Sequence, residues 1–265
     1  MCDTALEIIA RHAEAGAALR SAFFAAQGAR VAEAARHMAV SLARGGKILL
    51  AGNGGSAADA QHWAGEFVNR FILDRPPLPA IALSTDSSVL TAIGNDFGYD
   101  RVFAKQIEAL ARPGDVFVAI STSGNSANLI EALHAARRQE AFCIGVTGEG
   151  GGRMAGLCDL LLAVPTSLVT KASGISDAPD GTGPAAPAEP ANPERQTPSP
   201  DDAAGGERTG NAPPRGLMLT PLIQEVHEAI GHLLCGLVDH YLFENVMAIK
   251  PFLKESESRG VSRRV

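Results

Sequence analysis

Residues 47–71 read KILLAGNGGSAADAQHWAGEFVNRF. Lys47–Ala51 is a short apolar run, which suits a strand buried on both faces. Gly52-Asn53-Gly54-Gly55-Ser56 is a loop that neither a helix nor a strand interior would choose. Ala57–Phe71 then has a helical pattern. Trp63, Phe67 and Phe71 form an apolar ridge at four-residue spacing, and His62, Glu66 and Arg70 form a polar ridge one position earlier. Strand, glycine loop and helix together make an anion cradle, because backbone N–H groups converge there and the helix N-terminus adds positive charge. Tight turns use the same residues, so the loop alone leaves both readings open. A dinucleotide fingerprint is excluded, because Ala57 stands where a third glycine belongs, and no Gly-Lys-Ser/Thr follows to make a P-loop. No nucleotide cofactor is expected.

The chain has 265 residues, 46% of them hydrophobic, which is enough to bury a core in one or two domains. A net charge of −6 without a basic block near the core argues against nucleic acid as a partner. The four cysteines form no CxxC, and Cys143 and Cys235 sit in apolar runs, as reduced buried thiols do. The N-terminus has no basic, apolar leader pattern and no run is long enough to span a membrane. The expectation is a cytoplasmic protein without a membrane partner.

Working outward, residues 3–44 have a helical pattern, read as two helices broken near Gln27–Gly28, and Gly45-Gly46 supplies the stop. Their apolar content suggests packing on another subunit as well as on the core. Leu78–Leu83 is a second strand. Ser84-Thr85-Asp86 caps a short helix to Ile93, Gly94–Gly98 is a turn, and 100–111 is helical. Val116–Ile120 is a third strand, followed by Ser121-Thr122-Ser123-Gly124-Asn125-Ser126 and a helix over 127–138. This repeats the layout of 47–71 with hydroxyls in place of glycines. Four side-chain hydroxyls in six residues at a strand's carboxyl end suit an oxyanion such as phosphate, although some of them serve as helix caps. Ala141–Val146 and Leu160–Val164 complete five strands. Strands that alternate with helices imply an α/β fold, with a parallel sheet covered on both faces and ligands beyond the strands' carboxyl ends.

Residues 172–215 hold nine of the sixteen prolines and no aromatic residue, so they bury too little apolar area to offset the entropy of ordering. They read as a disordered insertion within one domain spanning 1–243, and 244–265 as a tail. A helix over 220–243 starts at Thr220-Pro221. Its apolar face is Ile223, Val226, Ile230, Leu233, Leu234, Leu237 and Tyr241, with Gln224, His227 and His232 off that face.

His62 and Glu66, four apart, stack on one helix face at a spacing that suits metal ligation, acid–base chemistry or a plain solvated pair. Gln224 and His232 are eight apart, roughly 80° around a helix at 100° per residue. Together the four would make a nitrogen/oxygen site that zinc tolerates. His12, His37, His134 and His240 read as ordinary surface or interface histidines.

The runs AGNGGSAADAQHWAGEFVNRF, PAIALSTDSSVLTAIGNDFGYD, GDVFVAISTSGNSANLIEAL and TPLIQEVHEAIGHLLCGLVDH resemble the phosphoheptose isomerases of the SIS (sugar isomerase) fold. The resemblance covers about 1–166 and 217–243. It implies a three-layer SIS-type fold, a five-stranded parallel sheet flanked by helices, with the N- and C-terminal helices in the interface of a homotetramer whose sites lie between subunits. It implies interconversion of D-sedoheptulose 7-phosphate and D-glycero-D-manno-heptose 7-phosphate through an enediol, the first step toward nucleotide-activated heptose for surface glycans such as lipopolysaccharide. Carried over by motif, Ser56, Ser121, Thr122, Ser123 and Ser126 hold the phosphate. Asn53, Gly54, Gly55, Asn95 and Asp96 line the sugar, and Gln224 joins them. Glu66 and His232 are the acid–base pair, and His62, Glu66, Gln224 and His232 the ligands of one zinc per subunit. The insertion before Gln224, the apolar Leu217-Met218-Leu219 and the long C-terminus depart from the family pattern and put sugar contacts near them in doubt. A sister group with the same fold consists of non-catalytic replication-initiator-associating regulators, in which the equivalents of Glu66 and His232 are typically lost. Both are present here, which favours the enzyme. A sugar-phosphate sensor is the third reading.

Overall fold

The computed structural model describes residues 4–167 and 219–253, so the expected insertion at 172–215 lies outside the described residues. Five strands, β1 (Ile48–Gly52), β2 (Ala80–Ala82), β3 (Val116–Ser121), β4 (Phe142–Thr147) and β5 (Leu160–Ala163), pair in parallel in the order β2-β1-β3-β4-β5. All five residues of β1 and all six of β3 are buried, as the continuous apolar runs require.

Alternation along the strands divides the core in two. Ile48, Leu50, Val116, Val118 and Ile120 pack on one face with residues of α1 (Thr4–Ala43), α2 (Gly55–Val68) and α6 (Leu219–Asp239). Leu49, Ala51, Phe117 and Ala119 pack on the other with α4 (Ala104–Leu110) and α5 (Ala127–Arg138). The three-layer architecture follows directly from this period of two.

The strand order reverses between β1 and β3. Gly52 pairs with Ile120 there, so the glycine loop after β1 and the hydroxyl loop after β3 leave the sheet side by side. In an open parallel sheet this switch point is where a ligand crevice forms.

Local structure departs from the sequence expectation in four places. α1 is one helix of 40 residues, with no break at Gln27–Gly28. A lone glycine costs a helix about 1 kcal/mol, which the alanine-rich flanks and the packing of Phe23 and Val31 outweigh. α3 (Ser87–Phe97), capped by Asp86, runs through the segment expected to be a turn and stops only at Gly98, whose φ is 88°. α2 ends at Val68, short of Phe71. There the Arg75 guanidinium takes the carbonyls of Phe67 (2.7 Å) and Glu66 (3.0 Å). It thereby satisfies helix-end acceptors that another turn would have used. In α6, His227 is fully buried although expected off the apolar face, while Leu233 is 44% exposed.

Candidate active site

Helices α2 and α6 cross beside the crevice, and a close approach fixes where they do so. A Cβ on Gly231 would overlap the Trp63 indole, so the ring lies directly on the α6 backbone. Trp63 and Phe67, the buried part of the expected apolar ridge, are the α2 side of this contact. At the far end the helices are clasped by Arg75, whose Nε donates to Asp239 Oδ1 at 2.8 Å with both side chains buried.

The polar ridge is thereby turned toward α6. His62 Nε2 lies 3.1 Å from His232 Nε2 and 3.6 Å from Glu66 Oε1. The Phe71 ring stacks on His232 with centroids 5.4 Å apart. Glu228 stands beside both imidazoles, its Oε1 3.1 Å from His62 Nε2 and 3.3 Å from His232 Nε2. Its Oε2 accepts from Trp63 Nε1 at 3.2 Å. An open cleft of about 520 Å³ runs along α2 past Ala58, Gln61, His62, Gly65, Glu66, Asn69 and Arg70. His62, Glu66 and Arg70 thus face a ligand-sized space, and the side chains of His62 and His232 are each 44% exposed.

Gln224 stands one turn before Glu228 on α6 and close against the start of α2, where a Cβ on Gly55 would overlap its amide. Near it, the buried carboxyl of Asp59 is pushed up to about 6, chiefly by burial and further by Glu228, against the lowering effects of Gln224 and His62.

In the hydroxyl loop, Ser121 Oγ lies 3.3 Å from Ser126 Oγ and 3.5 Å from Ser123 Oγ, and it accepts from Gly124 N at 3.1 Å. Three of the four predicted hydroxyls therefore converge. Thr122 is tied by its carbonyl to Gly148 N at 3.0 Å. Ser56 is buried in the first turn of α2. Asn53 and Asn128 exchange amide hydrogen bonds of 2.8 and 2.9 Å, which lock the glycine loop to the start of α5. Asn95 and Asp96 pair with each other at 2.8 Å on the exposed end of α3. Among the described residues they hydrogen-bond to no other member of the predicted set.

Two residues of this constellation went unmarked in the sequence. Glu228 carried a usable signal, since it stands four residues from both Gln224 and His232 and so must share their side of the helix. Asn128 carried none, because an asparagine in a first helical turn is ordinary.

The arrangement can move protons and can hold a cation. His62, Glu228 and His232 offer ligand atoms that all lie within 4.8 Å of one another, two imidazole nitrogens and a carboxylate oxygen, a donor set that fits zinc. Among the described residues no helix is long and apolar enough to cross a membrane.

Known proteins with this fold make the comparison specific. A SIS-domain family profile matches residues 11–148. A phosphoheptose isomerase of Nitratidesulfovibrio vulgaris is 48% identical over 254 residues, covering 96% of this chain and 98% of the relative. One from Desulfovibrio desulfuricans is 50% identical over 96% of each chain. Among solved structures, a phosphoheptose isomerase from Neisseria gonorrhoeae superposes with a TM-score of 0.65 at 36% identity, covering 88% of this chain and 98% of that one. Near-half identity from end to end, on a fold shared with solved relatives, places this chain in the phosphoheptose isomerase family of SIS-domain proteins.

Proposed function

We propose that the protein is a phosphosugar isomerase that interconverts D-sedoheptulose 7-phosphate and D-glycero-D-manno-heptose 7-phosphate, supplying the first step toward nucleotide-activated heptose for surface glycans such as lipopolysaccharide. The observation that carries this reading is the meeting of two helices at one imidazole. Glu66 of α2 and His232 of α6 both reach His62 Nε2, at 3.6 and 3.1 Å, beside an open cleft.

Aldose–ketose exchange removes the proton on the carbon next to the carbonyl and returns one to the neighbouring carbon, while the oxygens trade a proton. A carboxylate and an imidazole facing one substrate suffice for these transfers, and Glu66 with His232 are the pair this chain supplies. The hydroxyls of Ser56, Ser121, Thr122, Ser123 and Ser126 would hold the 7-phosphate, helped by the backbone N–H groups that open α2 and α5. Asn53, held by Asn128, together with Gly54, Gly55, Asn95, Asp96 and Gln224, would position the sugar. One zinc per subunit fits here, with His62, Glu66, Gln224 and His232 as the ligands implied by the family; when bound it polarises the carbonyl and stabilises developing enediolate charge. A cytoplasmic homotetramer completes the reading. Leu6, Ile8 and Ile9 of α1, 63%, 52% and 63% exposed in the single chain, support a surface covered by another subunit.

The test is turnover of sedoheptulose 7-phosphate by the wild type and by Glu66→Gln. The substitution keeps shape and removes the base, so the rate should fall at least ~100-fold, within the usual range of general acid–base contributions. Undiminished activity would remove Glu66 from the mechanism.

A further inference from the structure

We propose that Asn128 is a positioning residue for the isomerisation: it holds the Asn53 amide in one orientation, which uses up the Asn53 carbonyl inside the protein and keeps one N–H for an acceptor oxygen of the open-chain sugar. The inference rests on the substrate reading proposed above and adds a residue that acts through Asn53.

Three observations support it. First, the pairing is reciprocal. Asn53 Nδ2 donates to Asn128 Oδ1 at 2.9 Å, and Asn128 Nδ2 donates to Asn53 Oδ1 at 2.8 Å. The torsion that turns an asparagine amide is soft, so a lone Asn53 would sample many orientations. Two amides joined at both ends close a ring, and neither can turn without breaking both bonds.

Second, the Asn53 amide is left with an unequal remainder. A primary amide has two N–H donors and a carbonyl with two lone pairs. The carbonyl oxygen of Asn53 accepts from Asn128 and also from Tyr99 Oη, at 3.4 Å, so both lone pairs are taken. Among the described residues one N–H is spent, on Asn128. Asn53 follows directly on β1 and is partly exposed, so the second N–H remains for a ligand in the crevice.

Third, Asn128 suits this contact better than any packing role. It is the second residue of α5 and only 3% exposed, a place where an apolar side chain would pack well. Burying an amide is costly unless its hydrogen bonds are made, and among the described residues both side-chain bonds of Asn128 go to Asn53. A satisfied buried polar pair specifies one geometry. Because α5 begins where the hydroxyl loop ends, the amide that meets the sugar is registered to the turn that meets the phosphate.

The experiment measures kcat/KM with sedoheptulose 7-phosphate for the full-length wild type, Asn53→Ala, Asn128→Ala and the double variant. Misplacing a contact group by about 1 Å can cost on the order of 100-fold, so Asn128→Ala should lose about 10- to 100-fold. The double variant should fall no more than ~3-fold below Asn53→Ala, because without Asn53 there is nothing left for Asn128 to position. Asn128→Asp adds a pH readout that a packing role would not produce. The introduced carboxyl, when protonated, closes the same ring with the Asn53 amide; when ionised, it sets a charged oxygen against Asn53 Oδ1. Burial raises such a carboxyl into the assay range, so its kcat/KM relative to wild type should rise about 10-fold from pH 8 to pH 5.5. Groups common to both proteins, Asp59 at about 6 among them, cancel in that ratio. This variant carries the test if Asn128→Ala does not fold. Undiminished activity in Asn53→Ala, losses that multiply in the double variant, or a ratio flat with pH would overturn the proposal. A wild type that turns over no sedoheptulose 7-phosphate would instead overturn the reading beneath it, before any variant is compared.

Discussion

Removing Arg75 tests how the two site helices are held together. Its guanidinium is buried, donates to Asp239 Oδ1 at 2.8 Å, and takes the Phe67 and Glu66 carbonyls at 2.7 and 3.0 Å. The ion pair is single-toothed, because Asp239 Oδ2 is buried without a hydrogen-bond partner. Burial therefore pushes the Asp239 carboxyl above its ordinary range despite the hydrogen bond and charge of Arg75. A pair of this kind contributes little over an apolar replacement, but breaking it from one side strands a buried charge at a cost of about 3–5 kcal/mol. Arg75→Met strands Asp239 and also frees two helix-end carbonyls, each worth about 1 kcal/mol, although Asp239 can take up a proton and relieve part of the loss. The expected cost is about 4 kcal/mol. Asp239→Ala should cost about half as much, because Arg75 keeps its carbonyl partners. Urea unfolding of both single variants and the double variant, with matched slopes, gives the coupling energy, expected near 2 kcal/mol. If Asp239→Ala proves the more damaging, or both cost less than 1 kcal/mol, the clasp does not hold these helices.

Gly231→Ala places a methyl in the Trp63 indole and should cost about 2–3 kcal/mol while displacing the neighbouring His232, so isomerase activity should fall with stability; Trp63→Leu in the same chain should recover part of both. His227 is fully buried, and burial lowers its imidazole from 6.5 to about 4; Thr147's backbone raises it slightly without a well-formed hydrogen bond. The unfolded chain thus takes up this proton first as pH falls, so the contribution is whole above pH 6.5 and drains away between 6.5 and 4. Relative to His227→Leu, the wild type should lose about 2.5 kcal/mol between pH 7.5 and 4.5 in chemical denaturation; Asp59, raised to about 6, acts with the opposite sign and cancels in that difference. Parallel curves would refute the assignment. Burial, with Asp159 adding, pushes the Cys143 thiol up to about 12, and burial raises Cys235 as well. With Cys2→Ser and Cys158→Ser as background, neither thiol should react with Ellman's reagent at pH 8 until the protein is unfolded.

How much of this the sequence revealed depended on whether the cause was local. The strands were legible because a run such as Ile48–Gly52, buried on every residue, has to be apolar throughout. The two loops were legible because glycines and hydroxyls at strand ends have few other uses. The end of α2 was not, because Arg75, seven residues past Val68, decides it from outside the helix. Gly28 misled for the same reason, since tertiary packing of α1 overrides a single poor helix former. Of the candidate site, His62, Glu66, Gln224 and His232 were named from spacing, but that Glu228 also meets both imidazoles depends on the crossing of α2 and α6. No periodicity encodes that crossing, which Trp63 sets by lying on Gly231.

The adjacency of β1 and β3 has a mechanical consequence. Backbone pairing of Gly52 with Ile120 holds the two loop roots one strand spacing apart, about 4.8 Å, whatever side chains surround them. The handle of a ligand would be gauged by the main chain, while the reactive groups ride on helices that can slide or be resculpted. Changes in chemistry on α2 and α6 could then accumulate without loosening the anchor, which lets one such framework be adapted to new reactions on substrates carrying the same charged end.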